Sequence, residues 1–452
     1  MQINLKTLSK IDSVVKPNFD LANRKIGIIH MGLGAFHRGH QAVFFDSALS
    51  KGSDNFAIAA VSQRSAKNAD QLQSQQGLFT VLERSLKVNS PRIVGSIAEA
   101  YFYPRDESIL KEIIEQKNFQ AITVTATEKA YKPDSDLIIR LSRLLNFRFN
   151  AKLPGICVIS CDNLTNNTKV LKKLIIDYSK KLSNSNFSKW IEQEVRFPNS
   201  MVDRIVPATT TSDQKKFESE FGYFDNSLIC TEPFIQWVIE HDPISEKLND
   251  IGIEFVADVD GYEMMKLRLF NALHTALSIY GQLNQIEFVA KVISEPHVKK
   301  FAEKMQLQAS ASFPAPQGVD LTLYSAKVRD RIANPMHGHR TGQICIDTSQ
   351  KLPHRIFGTI NDLIKKNLPY DTLAFTLALW IHYLATSKNI EDPLMDPLVS
   401  HAKILDSKVS VNLVFSDLRS VPKLNLECYS KIVKFLDLIR SKSNQLSLIE
   451  TI

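Results

Sequence analysis

The run Lys266-Leu267-Arg268-Leu269-Phe270-Asn271-Ala272-Leu273-His274 sets an amine, an amide and an imidazole at positions i, i+5 and i+8. In an α-helix of about 100° per residue they stand at roughly 0°, 140° and 80°, within one half of the helix. Such a set can take a proton from a hydroxyl, donate to the oxygen and position a substrate. Its axial spread is about 12 Å, so it serves one small molecule only if that molecule is extended or the side chains converge. The plain alternative is a solvated face with snorkelling Lys and Arg. Met264, Met265, Leu267, Leu269, Phe270, Leu273, Ala276 and Leu277 surround the set in nearly all directions. They predict one buried helix over 262–281, closed by Gly281. A buried Lys and His need a reason, which favours function.

A second group bears on phosphates. Gly32-Leu33-Gly34-Ala35-Phe36-His37-Arg38-Gly39 follows an apolar run and opens a helical one. That is the context of a dinucleotide fingerprint, with Gly32 for the tight turn and Gly34 for close approach of a pyrophosphate. The pattern departs from G-x-G-x-x-G because His37 holds the third glycine position. Arg38 can meet a phosphate, although a lone Arg is more often a surface residue. The acid that usually reads the ribose is missing from Ser62-Gln63-Arg64-Ser65. Arg64 suits a 2′-phosphate or the solvent, so NAD and NADP both stay open.

Three polar clusters follow: Thr127-Glu128-Lys129-Ala130-Tyr131, Ser160-Cys161-Asp162-Asn163, and Phe197-Pro198-Asn199 with Asp203-Arg204 in an expected loop. The first two follow strand-like runs, where open α/β sheets bind ligands. Asn163 can donate to a carbonyl oxygen and Glu128 can pass protons to water, and each can equally be a turn residue. Further on, Asn334, His337, His339, Arg340, Gln343 and Lys351 crowd into one segment. Two His, two cations and several amides suit a polyhydroxylated or carboxylated substrate, or form a solvated loop. His337-x-His339 has no acidic partner at a metal-site spacing, so no metal is expected.

The elements that must position these residues form two blocks. Strand-like runs at 26–34, 56–62, 119–125 and 155–160 alternate with helix-like runs at 36–49, 107–116 and 135–145. Alternation of this kind predicts a mostly parallel α/β sheet. Beyond residue 257, helix-like runs dominate at 262–280, 285–310, 354–366, 371–386 and 426–441. The expected fold class is an α/β Rossmann-type N-terminal domain, residues 1–257. A mostly α-helical C-terminal domain follows over 258–452, with the active site in the cleft between them.

The chain has 452 residues, too many for one core, and ordinary hydrophobic and charged content at 44% and 23%. Its net charge of +7 is scattered and not interleaved with aromatics, so no nucleic-acid surface is expected. The excess mildly attracts an anionic ligand. Five cysteines without a CxxC pair suit reduced thiols in the cytoplasm. No run approaches 18 apolar residues and the start lacks an apolar leader core, so neither membrane insertion nor secretion is expected. The sequence leaves the oligomeric state open.

The stretches GLGAFHRGHQ (32–41), TEKAY (127–131), SCDNL (160–164), FPNSMVDRI (197–205), EPFIQWVIE (232–240), KLRLFNALH (266–274) and SQKLPHRI (349–356) together resemble the mannitol dehydrogenase family. These are the polyol-specific long-chain dehydrogenases, and the matches are collinear over 26 to about 360. The resemblance implies a metal-independent, NAD-dependent dehydrogenase or reductase acting on a CH–OH group. It implies that Lys266 is the general acid/base, that Asn163 and Asn271 stabilise the oxyanion and that His274 positions the substrate. Glu128 corresponds to a residue of proton exchange, and Arg340 to a substrate-contacting arginine. Gly32, Gly34, Phe36, His37, Arg38, Arg64 and Glu128 are the candidates on the cofactor side. Asn199, Asp203, His339, Arg340 and Lys351 are the candidates for the substrate. The chemistry agrees, because hydride loss from a secondary alcohol needs a base for the proton and donors for the alkoxide. A lysine, ordinarily near about 10.4, needs burial for that task.

The wording Val61-Ser62-x-Arg64-Ser65 resembles fructuronate-reductase-like members more than typical mannitol dehydrogenases. The expected substrate is therefore a keto-sugar acid of the fructuronate/mannonate type. The alternatives are a polyol dehydrogenase of the mannitol 2-dehydrogenase or arabinitol 4-dehydrogenase type, and a nucleotide-binding protein without catalysis. The intact Lys266, Asn271, His274 and Asn163 set weighs against the last.

Overall fold

A computed structural model describes residues 1–12, 14–182, 185–418 and 421–441. The chain divides into two compact units, Met1–Asp260 and Gly261–Ile452.

The N-terminal unit is built on a five-stranded parallel sheet. Its strands are β1 (Ile26–Met31), β2 (Ala57–Ser62), β3 (Ile97–Phe102), β4 (Ala121–Val124) and β5 (Cys157–Ser160). Their spatial order is 3-2-1-4-5, the first five strands of a doubly wound dinucleotide-binding sheet. The pleat sends alternate residues to opposite faces. Ile28, Ile58 and Ala60 pack on one side with Ala42, Phe44, Phe45 and Ala48 of the helix Gln41–Ser50. Ile29, Met31, Ala59, Val61, Ile122 and Val124 pack on the other, under helices Tyr103–Ile114, Asp136–Asn150 and Asn167–Lys181. Burial on both faces explains why these strands are near-continuous apolar runs.

Two three-stranded sheets flank this core and depart from the sequence expectation. One joins Phe79–Arg84 to Asn89–Val94 and Ile229–Thr231. The other joins Gln236–Glu240 to Ser200–Asp203 and Ile253–Val256. The segment expected as a loop around Asn199 and Asp203 is therefore largely strand, with Asp203 opposite Gln236.

The helix expected over 36–49 is two helices, α1 (Ala35–Gly39) and α2 (Gln41–Ser50), broken at His40 with φ −131° and ψ −90°. Tertiary contacts make the break. Arg204 Nη1 takes the Gly39 carbonyl at 2.7 Å. The His40 ring stacks on Phe36 and contacts the Gln236 carbonyl through Nε2 at 2.9 Å.

The described part of the C-terminal unit contains helices and short turns. The buried α5 (Asp371–Thr386) and α6 (Leu426–Ser441) match the runs expected for them. The run 285–310 is interrupted, because Pro296 starts a new helix after extended Glu295. The helix expected over 262–281 is α3 (Asp260–Met265), a π-helical turn (Lys266–Asn271) and α4 (Ala272–Leu283). Gly281 does not close it. A Cβ there would lie 2.6 Å from Thr341 Cγ2 and 2.8 Å from Val292 Cγ2, so this glycine permits close packing within the helix.

Candidate active site

β1 ends in a turn that only glycine fits. Gly32 has φ +126°, and a Cβ there would lie 1.8 Å from the Thr125 carbonyl oxygen. Gly34 is different. Its backbone is extended, and the only neighbour a Cβ would meet is the Gly32 oxygen at 3.8 Å. The space beside Gly34 is open, and α1 begins directly after it with no side-chain cap on its first N–H groups. An open glycine followed by uncapped helical donors fits a pyrophosphate.

The neighbouring candidates take varied positions. Phe36 is half-buried on the His40 ring. His37, in place of the third glycine, is buried and stacked face to face on His30 with ring centroids 3.4 Å apart. Burial first, then the charges of His30 and Arg38, hold its pKa well below the usual histidine range. Arg38 is spent inside the protein, donating to the Ser227 carbonyl at 2.7 Å and to the Gly34 carbonyl at 3.4 Å. Arg64 is exposed just beyond β2.

At the carboxyl ends of β4 and β5, Glu128 and Asn163 are both exposed. Between them lies Asp162, which sequence reasoning left unassigned. Its carboxylate accepts from the Ala126 N–H at 2.7 Å and from the Tyr131 hydroxyl at 2.5 Å. Tyr131 Oη also lies 2.6 Å from Ser160 Oγ. One carboxylate thus holds both ends of the segment that carries Glu128, one residue away from Asn163. Burial raises the Asp162 pKa to about 7 against its hydrogen bonds, and the charge of Glu128 adds to the rise.

Asn199 is buried at the start of the Ser200–Asp203 strand. Its Oδ1 accepts from the Lys169 N–H at 3.1 Å and its own N–H donates to Glu240 at 2.9 Å. Asp203 is buried in the same strand. The adjacent Arg204 pairs with Glu83 and holds the carbonyls of Gly39 and Glu232. This segment frames α1 within the sheet.

In the C-terminal unit the π-turn changes the geometry expected from a regular helix. The Ala272 N–H bonds to the Leu267 carbonyl, an i→i+5 step. Such a turn brings Lys266 and Asn271 nearer to one face than the roughly 140° separation of an α-helix. Isolated π-turns in helices are frequent at functional sites. Lys266 and His274 are buried and Asn271 is half-buried. A second π-turn, Pro353–Phe357, packs against the first. From it Arg355 Nη1 donates to Thr275 Oγ1 at 2.8 Å and to the Asn271 carbonyl at 3.4 Å.

His274 lies at the centre of a cationic group. Its ring is 5.3 Å from His339 and 5.4 Å from Phe270, and Arg331 sits 4.7 Å over the Phe270 ring. Its pKa is held well below the ordinary value, first by burial, then by the neighbouring His339 and by the charges of Arg355, Arg331 and Lys351. His274 is neutral near pH 7, so it offers one N–H donor and one acceptor. Burial lowers the His339 pKa as well. Arg340 is largely exposed, paired with Glu287 and stacked over Phe288. Lys351 Nζ donates to the carbonyls of Ile344 at 3.1 Å and Ile346 at 2.5 Å. The structure thus brings His339, Arg331 and Arg355 to the helix that carries Lys266, Asn271 and His274, and the role of the two arginines is not apparent from the sequence. Arg355 was within sight, inside the stretch SQKLPHRI. Among the described residues, no group of three or more His, Cys, Asp or Glu side chains can hold a metal ion, and no helix is long and apolar enough to cross a membrane.

Two family models cover most of the chain, the mannitol dehydrogenase Rossmann domain over residues 26–254 and the mannitol dehydrogenase C-terminal domain over 258–434. A mannitol dehydrogenase of Saccharomyces cerevisiae is 30% identical, covering 97% of this chain and 95% of its own. The D-mannonate oxidoreductase of Escherichia coli is 32% identical over 82% of each chain. The mannitol 2-dehydrogenase of Pseudomonas fluorescens, solved with NAD and D-mannitol, superposes with a TM-score of 0.85 at 28% identity, covering 100% of this chain and 99% of that one. With a Rossmann-type unit followed by a mostly helical one, and with both family models matched in order, the chain belongs to the mannitol dehydrogenase family, whose members are dehydrogenases acting on CH–OH groups.

Proposed function

We propose that this chain is an NAD-dependent oxidoreductase that interconverts a keto-sugar acid and its hydroxy acid, of the fructuronate/mannonate type. The observation that carries the sugar-acid reading is the pair of arginines set beside His274, Arg355 on the Thr275 hydroxyl and the Asn271 carbonyl and Arg331 over the Phe270 ring that contacts His274. A substrate carboxylate gains from it, while an uncharged polyol does not. The D-mannonate oxidoreductase among the relatives agrees with it. The mannitol dehydrogenases among them support the second reading, a polyol dehydrogenase.

The open side of Gly34, the tight turn at Gly32 and the uncapped start of α1 suit a dinucleotide, with Phe36 in α1 and the exposed Arg64 just beyond β2 as further candidates. A dinucleotide held there would supply the hydride acceptor for oxidation of a carbinol carbon and the hydride donor for the reverse reduction. In this proposal Lys266 takes the hydroxyl proton in oxidation and gives it back in reduction. The Asn271 amide, held in register by the π-turn, donates to the same oxygen, and Asn163 adds a second amide. Amides do this without titrating. Neutral His274 orients a neighbouring hydroxyl, and Glu128, exposed on its turn, exchanges the proton with water. No step needs a metal. The five cysteines are all buried free thiols, which suits a reducing cytoplasm.

The test is steady-state oxidation of NADH and of NADPH with fructuronate, tagaturonate, fructose and xylulose. The expected order places the two uronates first and NADH ahead of NADPH. A higher kcat/KM for fructose or xylulose overturns the sugar-acid reading in favour of the polyol dehydrogenase. Strong preference for NADPH overturns the cofactor assignment.

A further inference from the structure

The sugar-acid proposal leaves open which cation receives the carboxylate. Four are candidates, and their surroundings separate them. Arg340 is mostly exposed and ion-paired with Glu287. Solvent screens such a group, and a bound carboxylate there competes with a partner already in place. Lys351 holds the carbonyls of Ile344 and Ile346 and so fixes the local backbone. Arg331 is buried, with its guanidinium 4.7 Å over the Phe270 ring.

Arg355 differs in its place, anchored on the helix that carries Lys266, Asn271 and His274. It rises from one π-turn and is fastened to the helix of the other, at Thr275 Oγ1 and at the carbonyl of Asn271. These residues flank His274, and Asn271 carries the amide assigned to the reacting oxygen. Arg355 is half-buried, so its charge is screened less than that of an exposed arginine. The guanidinium plane is held by two hydrogen bonds from one nitrogen, which reduces the ordering cost of meeting a second planar group. A carboxylate is such a group and matches the guanidinium fork.

We propose that Arg355 is the specificity-determining residue that pairs with the substrate carboxylate, and that Arg340 is not. This rests on the sugar-acid reading, yet it is read by a different quantity. Wild-type preference tests that reading, and the change of preference on mutation tests Arg355.

The experiment compares Arg355→Met, Arg355→Lys and Arg340→Ala with the wild type, each checked for thermal stability. The probes are fructuronate and fructose. Arg355→Met should lower kcat/KM for fructuronate by about 10- to 150-fold, the worth of one charge-assisted contact, and change fructose less than about threefold. Arg355→Lys keeps the charge without the fork and should fall between. Arg340→Ala should leave the ratio within about twofold, because a surface ion pair contributes little. Equal loss on both substrates makes Arg355 a prop for the helix and overturns the proposal, as does an unchanged ratio. A wild type that prefers fructose sinks the sugar-acid reading alone if Arg355→Met still moves the ratio. If the wild type turns over neither probe, thermal protection by D-mannonate decides. Protection that is present in the wild type and lost in Arg355→Met sustains the proposal, and its absence from the wild type ends it.

Discussion

Gly32 and Gly34 lie two residues apart in one turn, and the structure gives them opposite jobs. At Gly32 an alanine would have to hold φ near +126° with its Cβ 1.8 Å from a carbonyl oxygen. Such a backbone costs about 1–3 kcal/mol, and the forced shift of the Thr125 strand end adds about 1–3 kcal/mol. In a domain of about 150–250 residues each kcal/mol moves Tm by about 2–4 °C, so Gly32→Ala should lower Tm by roughly 4–24 °C. At Gly34 the backbone is already extended and the nearest atom to a new Cβ is 3.8 Å away. Gly34→Ala should therefore leave Tm within about 1 °C, since no strain or overlap arises. Its methyl group would stand in the space that a pyrophosphate needs. Losing one charge-assisted contact to the α1 N–H groups should raise the Kd of NADH by about 10- to 150-fold. Thermal unfolding without ligand and fluorescence titration with NADH read the two effects separately. If Gly34→Ala binds NADH like the wild type, the dinucleotide does not approach this turn and the assignment of the cofactor site is wrong.

Three further outcomes follow from the geometry. Lys266→Ala should lower kcat by about 10²–10⁴-fold, with partial rescue by added primary amines and NADH affinity within about twofold. A variant that keeps a third of wild-type kcat removes Lys266 from the acid/base role. Asp162, with its pKa raised to about 7, holds its proton in the folded state while the unfolded carboxyl has lost it near about 4. The folded state thus binds more protons between these values, and this group's contribution to stability falls as pH rises from about 4 to 7. Asp162→Asn should flatten that slope in urea unfolding at several pH values, and parallel curves for the two proteins would contradict it. Arg64→Ala should raise the KM for NADPH and leave that for NADH nearly unchanged, because only the former carries a 2′-phosphate. Equal changes in both would show that Arg64 does not read that position.

The parts of the fold legible in the sequence are those where burial writes its own period. β1, β2, β4 and β5 pack on both faces and appear as apolar runs, and α5 is hydrophobic nearly all round because it is buried. The strand at Ser200–Asp203 is not legible in the sequence, because four residues bounded by Asn199 and Arg204 carry no period. Chain breaks caused by distant groups were equally hidden. Nothing near His40 signals that Arg204 will claim the Gly39 carbonyl.

The candidate site divides in the same way. Lys266, Asn271 and His274 could be found because they share one segment, but their relation was drawn on the wrong helix. Two polar residues five apart, Lys266 and Asn271, in a buried and mostly apolar segment are a local hint of an i→i+5 turn. Arg355 lay in a stretch already singled out and still went unassigned. Its meaning depends on a second π-turn packing against the first, so that residues 80 positions apart share the Thr275 hydroxyl. The types of group available for chemistry are thus written locally, whereas the choice among four cations is written in the packing. That is why a substitution at Arg355, and not at the more conspicuous Arg340, is the one expected to separate an acid substrate from a neutral one.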